Sequence, residues 1–90
     1  MEQDAYKIYI GIDVAKAKLD IKYDDDRPVV TIENTKKSFK SLNRYFTRDK
    51  QQVLVLLEAT GGYEKAIVKW LLSRGIPVSI SFAVFMSEIL

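Results

Sequence analysis

Cysteine and histidine are both absent from these 90 residues. Their absence removes disulfide bridges, thiolate zinc sites and imidazole acid-base chemistry. Any bound metal must therefore be held by oxygen, which favours magnesium, manganese or calcium. No apolar run approaches the ~20 residues that a transmembrane helix needs. The N-terminus, polar and acidic before Tyr6, is unlike a secretory signal. These exclusions fit a cytoplasmic protein with no membrane partner. Internal repeats, low-complexity tracts and linkers are missing too. With 48% hydrophobic and 29% charged residues, the chain has the composition of one small globular domain.

The formal net charge of +2 says little about partners, but its distribution says more. Between Thr35 and Lys50 stand Lys36, Lys37, Lys40, Arg44, Arg48 and Lys50 against one acid, Asp49. Beyond Arg74 there is no basic residue, and the stretch from Gly75 to Leu90 is apolar with one charge, Glu88. A large apolar patch left uncovered marks an interface or an aggregation site. The C-terminus therefore reads as a break inside a larger architecture.

Strand patterns come first along the chain. Ile8, Ile10 and Ile12 alternate with Tyr9, Gly11 and Asp13, the period of two of a strand over Tyr6 to Val14. Ala15 to Ala17 make a tight connection. Leu19, Ile21 and Tyr23 then alternate with Asp20 and Lys22 as an antiparallel partner strand. Clustered Asp and Pro from Asp24 to Pro28 predict a turn, and Val29 to Glu33 a third strand.

The period then becomes helical. Asn34-Thr35 is a plausible N-cap, and Phe39, Leu42, Tyr45 and Phe46 predict an amphipathic helix from about Lys36 to Thr47. The apolar run Val53 to Leu57 predicts a strand buried on both faces. Tyr63, Ala66, Ile67, Trp70 and Leu71 form the stripe of a second helix, closed by Gly75 and followed by Pro77. Ile76 to Ile80 predict a fifth strand. The order β-β-β-α-β-α-β matches an α/β, ribonuclease H-like mixed five-stranded sheet with strand order 3-2-1-4-5, although order alone also fits other mixed sheets.

Two acids close apolar strands in this reading, Asp13 and Glu58. A carboxylate where a buried strand emerges needs a cation, a donor or water. Strands one and four are neighbours in the expected sheet, about 4.8 Å apart, so both acids can reach one hard cation. The plainer readings are a cap on the Val14 to Ala17 turn for Asp13 and a cap on the following helix for Glu58. Gly11 shares the face of Asp13 and leaves room for an approaching metal or phosphate. Gly61 and Gly62 permit a sharp turn from strand to helix, with Glu64 placed for a capping box or a helix-dipole contact. Amides at this turn can also receive a phosphate. Lys16 and Lys18 flank the first acid, and Lys36, Lys37 and Lys40 lead the basic helix. All five are candidate nucleic-acid contacts, against the plainer reading of solvated surface lysines. Tyr63 and Trp70 read as core rather than as stacking platforms.

Gly11-Ile12-Asp13-Val14-Ala15-Lys16, Leu19-Asp20 and Glu58-Ala59-Thr60-Gly61-Gly62-Tyr63-Glu64 together resemble the N-terminal signature of the DEDD insertion-sequence transposases and Piv-like DNA invertases. The resemblance runs from about Tyr6 to Ile80. It implies a RuvC-like nuclease domain in which Asp13 and Glu58 are the first two of four acids that bind Mg2+ or Mn2+. It also implies DNA as substrate and a guide RNA as a possible further partner. The remaining Asp pair and the family's serine-bearing domain lie further along than this chain reaches.

On that resemblance, residues 1–80 are an incomplete N-terminal domain. Residues 81–90 are an apolar tail where the family usually carries an Asn-Pro pair and a basic helix. Two carboxylates seldom fix a pair of ions, so the fragment is expected to be inactive alone. The alternative is a non-catalytic module that binds nucleic acid through its basic helix or self-associates through the fifth strand and tail. A phosphotransfer role of the actin-like ATPase type is disfavoured, because no Gly-Thr or Gly-Ser phosphate loop follows Asp13.

Overall fold

Alternation of apolar and polar residues builds the sheet that carries this protein. In the computed structural model, which describes residues 8–23, 26–46, 52–59 and 61–82, five strands form one mixed sheet. They are β1 (Ile8–Val14), β2 (Lys18–Tyr23), β3 (Val30–Glu33), β4 (Val53–Ala59) and β5 (Val78–Phe82). Their order across the sheet is β3-β2-β1-β4-β5, with β1 antiparallel to β2 and parallel to β4. This is the ribonuclease H-like arrangement expected from the element order. The expected strand start at Tyr6, Asp24 and Asp25 of the turn, the helix end at Thr47, Thr60 and the tail from Ala83 lie outside the described residues.

The core lies against one face of the sheet. Ile10, Ile12 and Val14 of β1, Leu19 and Ile21 of β2, and Val53, Val55, Leu57 and Ala59 of β4 are all buried. Above them sit Phe39, Leu42, Phe46, Ile67, Leu71 and Ile76 from the helical layer. Each of these side chains contributes about 1.5–3 kcal/mol by leaving water. Phe39 and the partly buried Trp70 meet with ring centroids 6.0 Å apart, joining the two helical segments.

Three expectations need correction. The basic helix is not one α-helix: α1 (Lys36–Phe39) gives way to a 3₁₀ segment, Lys40–Tyr45. Ser41 donates its hydroxyl to the Ser38 carbonyl at 2.8 Å, and Ser and Asn favour such local bonds over helix interiors. At three residues per turn, Phe39, Leu42 and Tyr45 fall on one line, so the tighter winding suits their spacing. Thr35 caps the N-terminus as expected, accepting from the Ser38 amide at 3.3 Å.

β4 is not buried on both faces. Its burial alternates, and Leu56 and Glu58 are exposed on the face away from the helices. The apolar run therefore conceals a period of two, because Leu occupies positions on both faces.

α2 begins at Lys65 and ends at Ser73, so Tyr63 lies in the preceding turn and is exposed, as is Ala66. Ile67 and Leu71 carry the buried stripe, with Trp70 only partly covered. The helix ends in a Schellman motif: Gly75 (φ +74°) donates to Leu72 and Ile76 donates to Leu71. Buried Ile76 completes it.

Candidate functional site

Strand alternation puts every second residue of β1, β2, β4 and β5 on the face that the helices leave open. Asp13 stands in register with Asp20 on β2 and with Glu58 on β4. The same rung continues to Thr31 on β3 and Ser81 on β5. Read across the sheet, it is Thr31, Asp20, Asp13, Glu58, Ser81, with three carboxylates on consecutive strands. All five residues are exposed. Asp13 and Glu58 lie one residue before their strands end, at Val14 and Ala59.

Asp20 was not among the site residues inferred from sequence, although the signal was available. Two residues, Lys16 and Ala17, separate Ala15 from Lys18, and the Ala15 amide donates to the Lys18 carbonyl at 2.9 Å. That closure sets Val14 opposite Leu19 and so Asp13 opposite Asp20. Counting the register from the tight turn finds the acid. Thr31 Oγ1 donates to Asp20 Oδ1 at 2.6 Å, which fixes that carboxylate toward β3.

The next rung holds Lys22, Gly11, Leu56 and Ser79. A concavity of about 330 Å³ opens over both rungs, lined by Gly11, Asp13, Asp20, Lys22, Leu56 and Glu58 among others. A second, of about 390 Å³, continues on the β5 side past Leu56 and Glu58 to Ser79 and Ser81. A Cβ added at Gly11 would lie 3.9 Å from the Lys22 carbonyl and 4.0 Å from that of Leu56, an ordinary contact. Strand packing therefore does not demand glycine here, and its missing side chain keeps the floor beside Asp13 low.

The donor set suits one hard, hydrated cation. Asp13 and Glu58 offer oxygen from adjacent strands on one exposed rung, and Mg2+ is commonly held by one or two carboxylates with its remaining positions filled by water. It is not a closed cage: among the described residues, no group of three or more Asp, Glu, His or Cys could hold a metal ion. The rung geometry accounts for this, since Asp20 and Glu58 are two strand spacings apart, about 10 Å, and Asp20 is held toward Thr31.

The other candidates are dispersed. Lys18 lies on the outward face of β2, in register with Glu33, while Lys16 stands in the hairpin turn. Lys36, Lys37 and Lys40 are exposed on the segment whose Phe39 and Leu42 pack on the apolar face. That segment belongs to the layer opposite the carboxylates. Gly61 and Gly62 take φ of +78° and +83° in the turn between β4 and α2. A Cβ on Gly61 would approach Tyr63 Cε2 to 2.9 Å, whereas one on Gly62 would meet nothing within 4 Å. Backbone conformation thus accounts for both glycines. Glu64 makes no capping bond; it is itself the residue flanking α2, and its Oε1 is buried without a hydrogen-bond partner among the described residues.

Asn34, expected with Thr35 only as an N-cap, has a bridging role instead. Its Nδ2 donates to the Ala15 carbonyl at 3.0 Å and to the Tyr63 carbonyl at 3.1 Å. Its own amide donates to Ala17 at 2.9 Å. Sequence spacings of 19 and 29 residues carry no local signature of such contacts.

No helix among the described residues is long and apolar enough to cross a membrane. The chain matches no curated protein. Residues 10–89 match the transposase family model of the DEDD IS110 type. That span takes in the whole carboxylate rung, both glycines of the β4–α2 turn and the basic segment. By a match over most of its length, the chain belongs to the DEDD transposase family.

Proposed function

We propose that Asp13 and Glu58 are metal-binding and catalytic carboxylates of the nuclease domain of a DNA transposase, acting on DNA phosphodiesters with Mg2+ or Mn2+. The observation that carries this reading is their shared rung: two acids from non-consecutive strands stand side by side on the open face, beside the low floor at Gly11. A divalent ion bound there supplies charge to a phosphodiester oxygen and a more acidic bound water. Asp13 and Glu58 would hold it, and Gly11 would leave space for the phosphate. Lys16 and Lys18 sit near enough along the chain to hold flanking phosphates, and amides at Gly61 and Gly62 offer further donors.

Within residues 1–80 the reading finds two of the family's four acids, so this polypeptide alone is proposed to be inactive in strand cleavage. Residues 81–90 are proposed as a tail whose first two residues, Ser81 and Phe82, still belong to β5. DNA is the proposed partner, with a guide RNA as the family resemblance implies, and a homo-oligomer could form through β5, an edge strand among the described residues.

The test is a Mn2+ titration of the 15N-labelled chain. Resonances of residues 11–14 and 56–59 should broaden first, and Asp13→Asn with Glu58→Gln should abolish that pattern. Broadening spread evenly over all acids would sink the site. Cleavage of DNA in Mg2+, lost in Asp13→Ala, would overturn the inactivity of the fragment alone.

A second reading rests on the separation of the two charged regions. Lys36, Lys37 and Lys40 are exposed on the helical layer, so the chain can bind nucleic acid without using its carboxylates. Salt-sensitive DNA binding that survives Asp13→Asn but falls when these lysines are neutralised would favour a binding module.

A further inference from the structure

The parallel ladder between β1 and β4 ends at Val14 and Ala59, one rung past the two acids. Beyond that rung the two chains part, one into the Ala15 to Ala17 turn and the other into the glycine turn. Strand ends that diverge in this way fray unless something else joins them. Asn34, between β3 and α1, is the residue that does so. One side-chain nitrogen donates to Ala15, which follows β1, and to Tyr63, which precedes α2.

The chemistry of these neighbours fixes the amide. Both partners are carbonyl oxygens, so only the NH2 end fits between them, and its two protons are both used. Asn34 Oδ1 is buried with no hydrogen-bond partner among the described residues, so the amide is not held from its other end. Its backbone is held instead, by the 2.9 Å bond from the Asn34 amide to Ala17. Three bonds from one residue thus reach both ends of the hairpin turn and the turn after β4.

We infer that Asn34 is a positioning residue: it acts as a side-chain rung that extends the β1–β4 ladder and holds the segments flanking Asp13 and Glu58 in one arrangement before any ligand binds. The functional meaning of that role rests on the proposed use of the two acids; the physical claim does not. An aspartate at this position would be similar in size but would turn acceptors toward two carbonyls. A serine would be too short to bridge them.

Amide hydrogen exchange in the full chain tests this, with Asn34→Ala and Asn34→Asp as variants and Ile67→Val as a core control. In the Asn34 variants, exchange at Ala15, Val14 and Ala59 should quicken by about 10-fold, the effect of losing roughly one or two net hydrogen bonds. Amides of Ile10, Val55 and Leu71 should keep their protection. The side-chain carboxyl carbon resonances of Asp13 and Glu58 should shift in the Asn34 variants and stay in place in Ile67→Val.

Uniform loss of protection across the core, or no local change, would overturn the inference. If Asn34→Ala does not fold, Asn34→Asp decides by the same criteria, and failure of both variants to fold makes Asn34 a general stabiliser and overturns it too. A failed Mn2+ titration of the unsubstituted chain would remove the metal reading and leave this exchange result standing.

Discussion

Asp13 faces a like charge on one side and a second carboxylate on the other, and neither neighbour is separable by looking at the residue alone. Like charges directly opposite in a sheet are destabilising, by about 0.2–1 kcal/mol per pair, toward the lower end for exposed groups. Asp20→Asn removes one such charge and keeps an oxygen that can accept from Thr31. Urea unfolding should therefore show the variant more stable by a few tenths of a kcal/mol at low salt. The gain should vanish near 1 M salt, where the screening length falls to about 3 Å. A variant of lower stability, or a gain that ignores salt, would show that Asp20 is held by contacts other than its charge. Asp13 and Glu58 were legible from the sequence as strand-end acids on neighbouring strands. Asp20 emerges only when the hairpin register is counted, and Asn34 was legible beside Thr35 as a cap but not as a bridge, because its partners are remote in sequence.

Among the elements, the turn from β4 to α2 shows two glycines with the same backbone habit and different surroundings. Alanine at positive φ costs about 1–2 kcal/mol per residue, so both Gly61→Ala and Gly62→Ala should be destabilising. Gly61→Ala should cost more, because its Cβ meets Tyr63 at 2.9 Å while that of Gly62 meets nothing. In a Tyr63→Ala background the two costs should become equal, as measured by thermal unfolding. An excess that survives loss of the ring would place the strain in the backbone instead.

Element type was readable from the sequence wherever period and burial agreed, as in β1, β2 and α2. It failed where composition masked them. Leu at outward positions made β4 look covered on both faces, and an apolar spacing close to helical hid the 3₁₀ winding after Phe39. Tyr63 fitted a helical stripe by number, but the two positive-φ glycines hold it in the turn, ahead of the first helical residue.

Across the whole molecule, the sheet divides the charged groups. The carboxylates lie on its open face and the exposed lysines of the basic segment ride on the helical layer packed against the other. Substitutions on the two sides share no partners and should be additive. Neutralising Lys36, Lys37 and Lys40 together should lower the salt slope of DNA binding by about 2–3 units if each meets a phosphate. The Mn2+ broadening pattern around Asp13 and Glu58 should not change. A loss of both on the same substitution would mean that one ligand wraps the sheet edge and touches both layers. Strand order was legible at this scale because the meander and the parallel crossovers leave few arrangements. The division of charge was not, because it follows from which face the helices cover.

The shared rung also decides which changes in chain length this domain can absorb. Deleting one residue between Ile8 and Asp13 would rotate Asp13 to the apolar side of the sheet, since strand faces exchange with each step. Glu58, on a strand reached through a separate crossover, would stay where it is. A residue added to the loop between β2 and β3 would move neither. The two acids are thus aligned by counting inside strands and indifferent to counting outside them, so insertions belong in the loops and the strands keep their length.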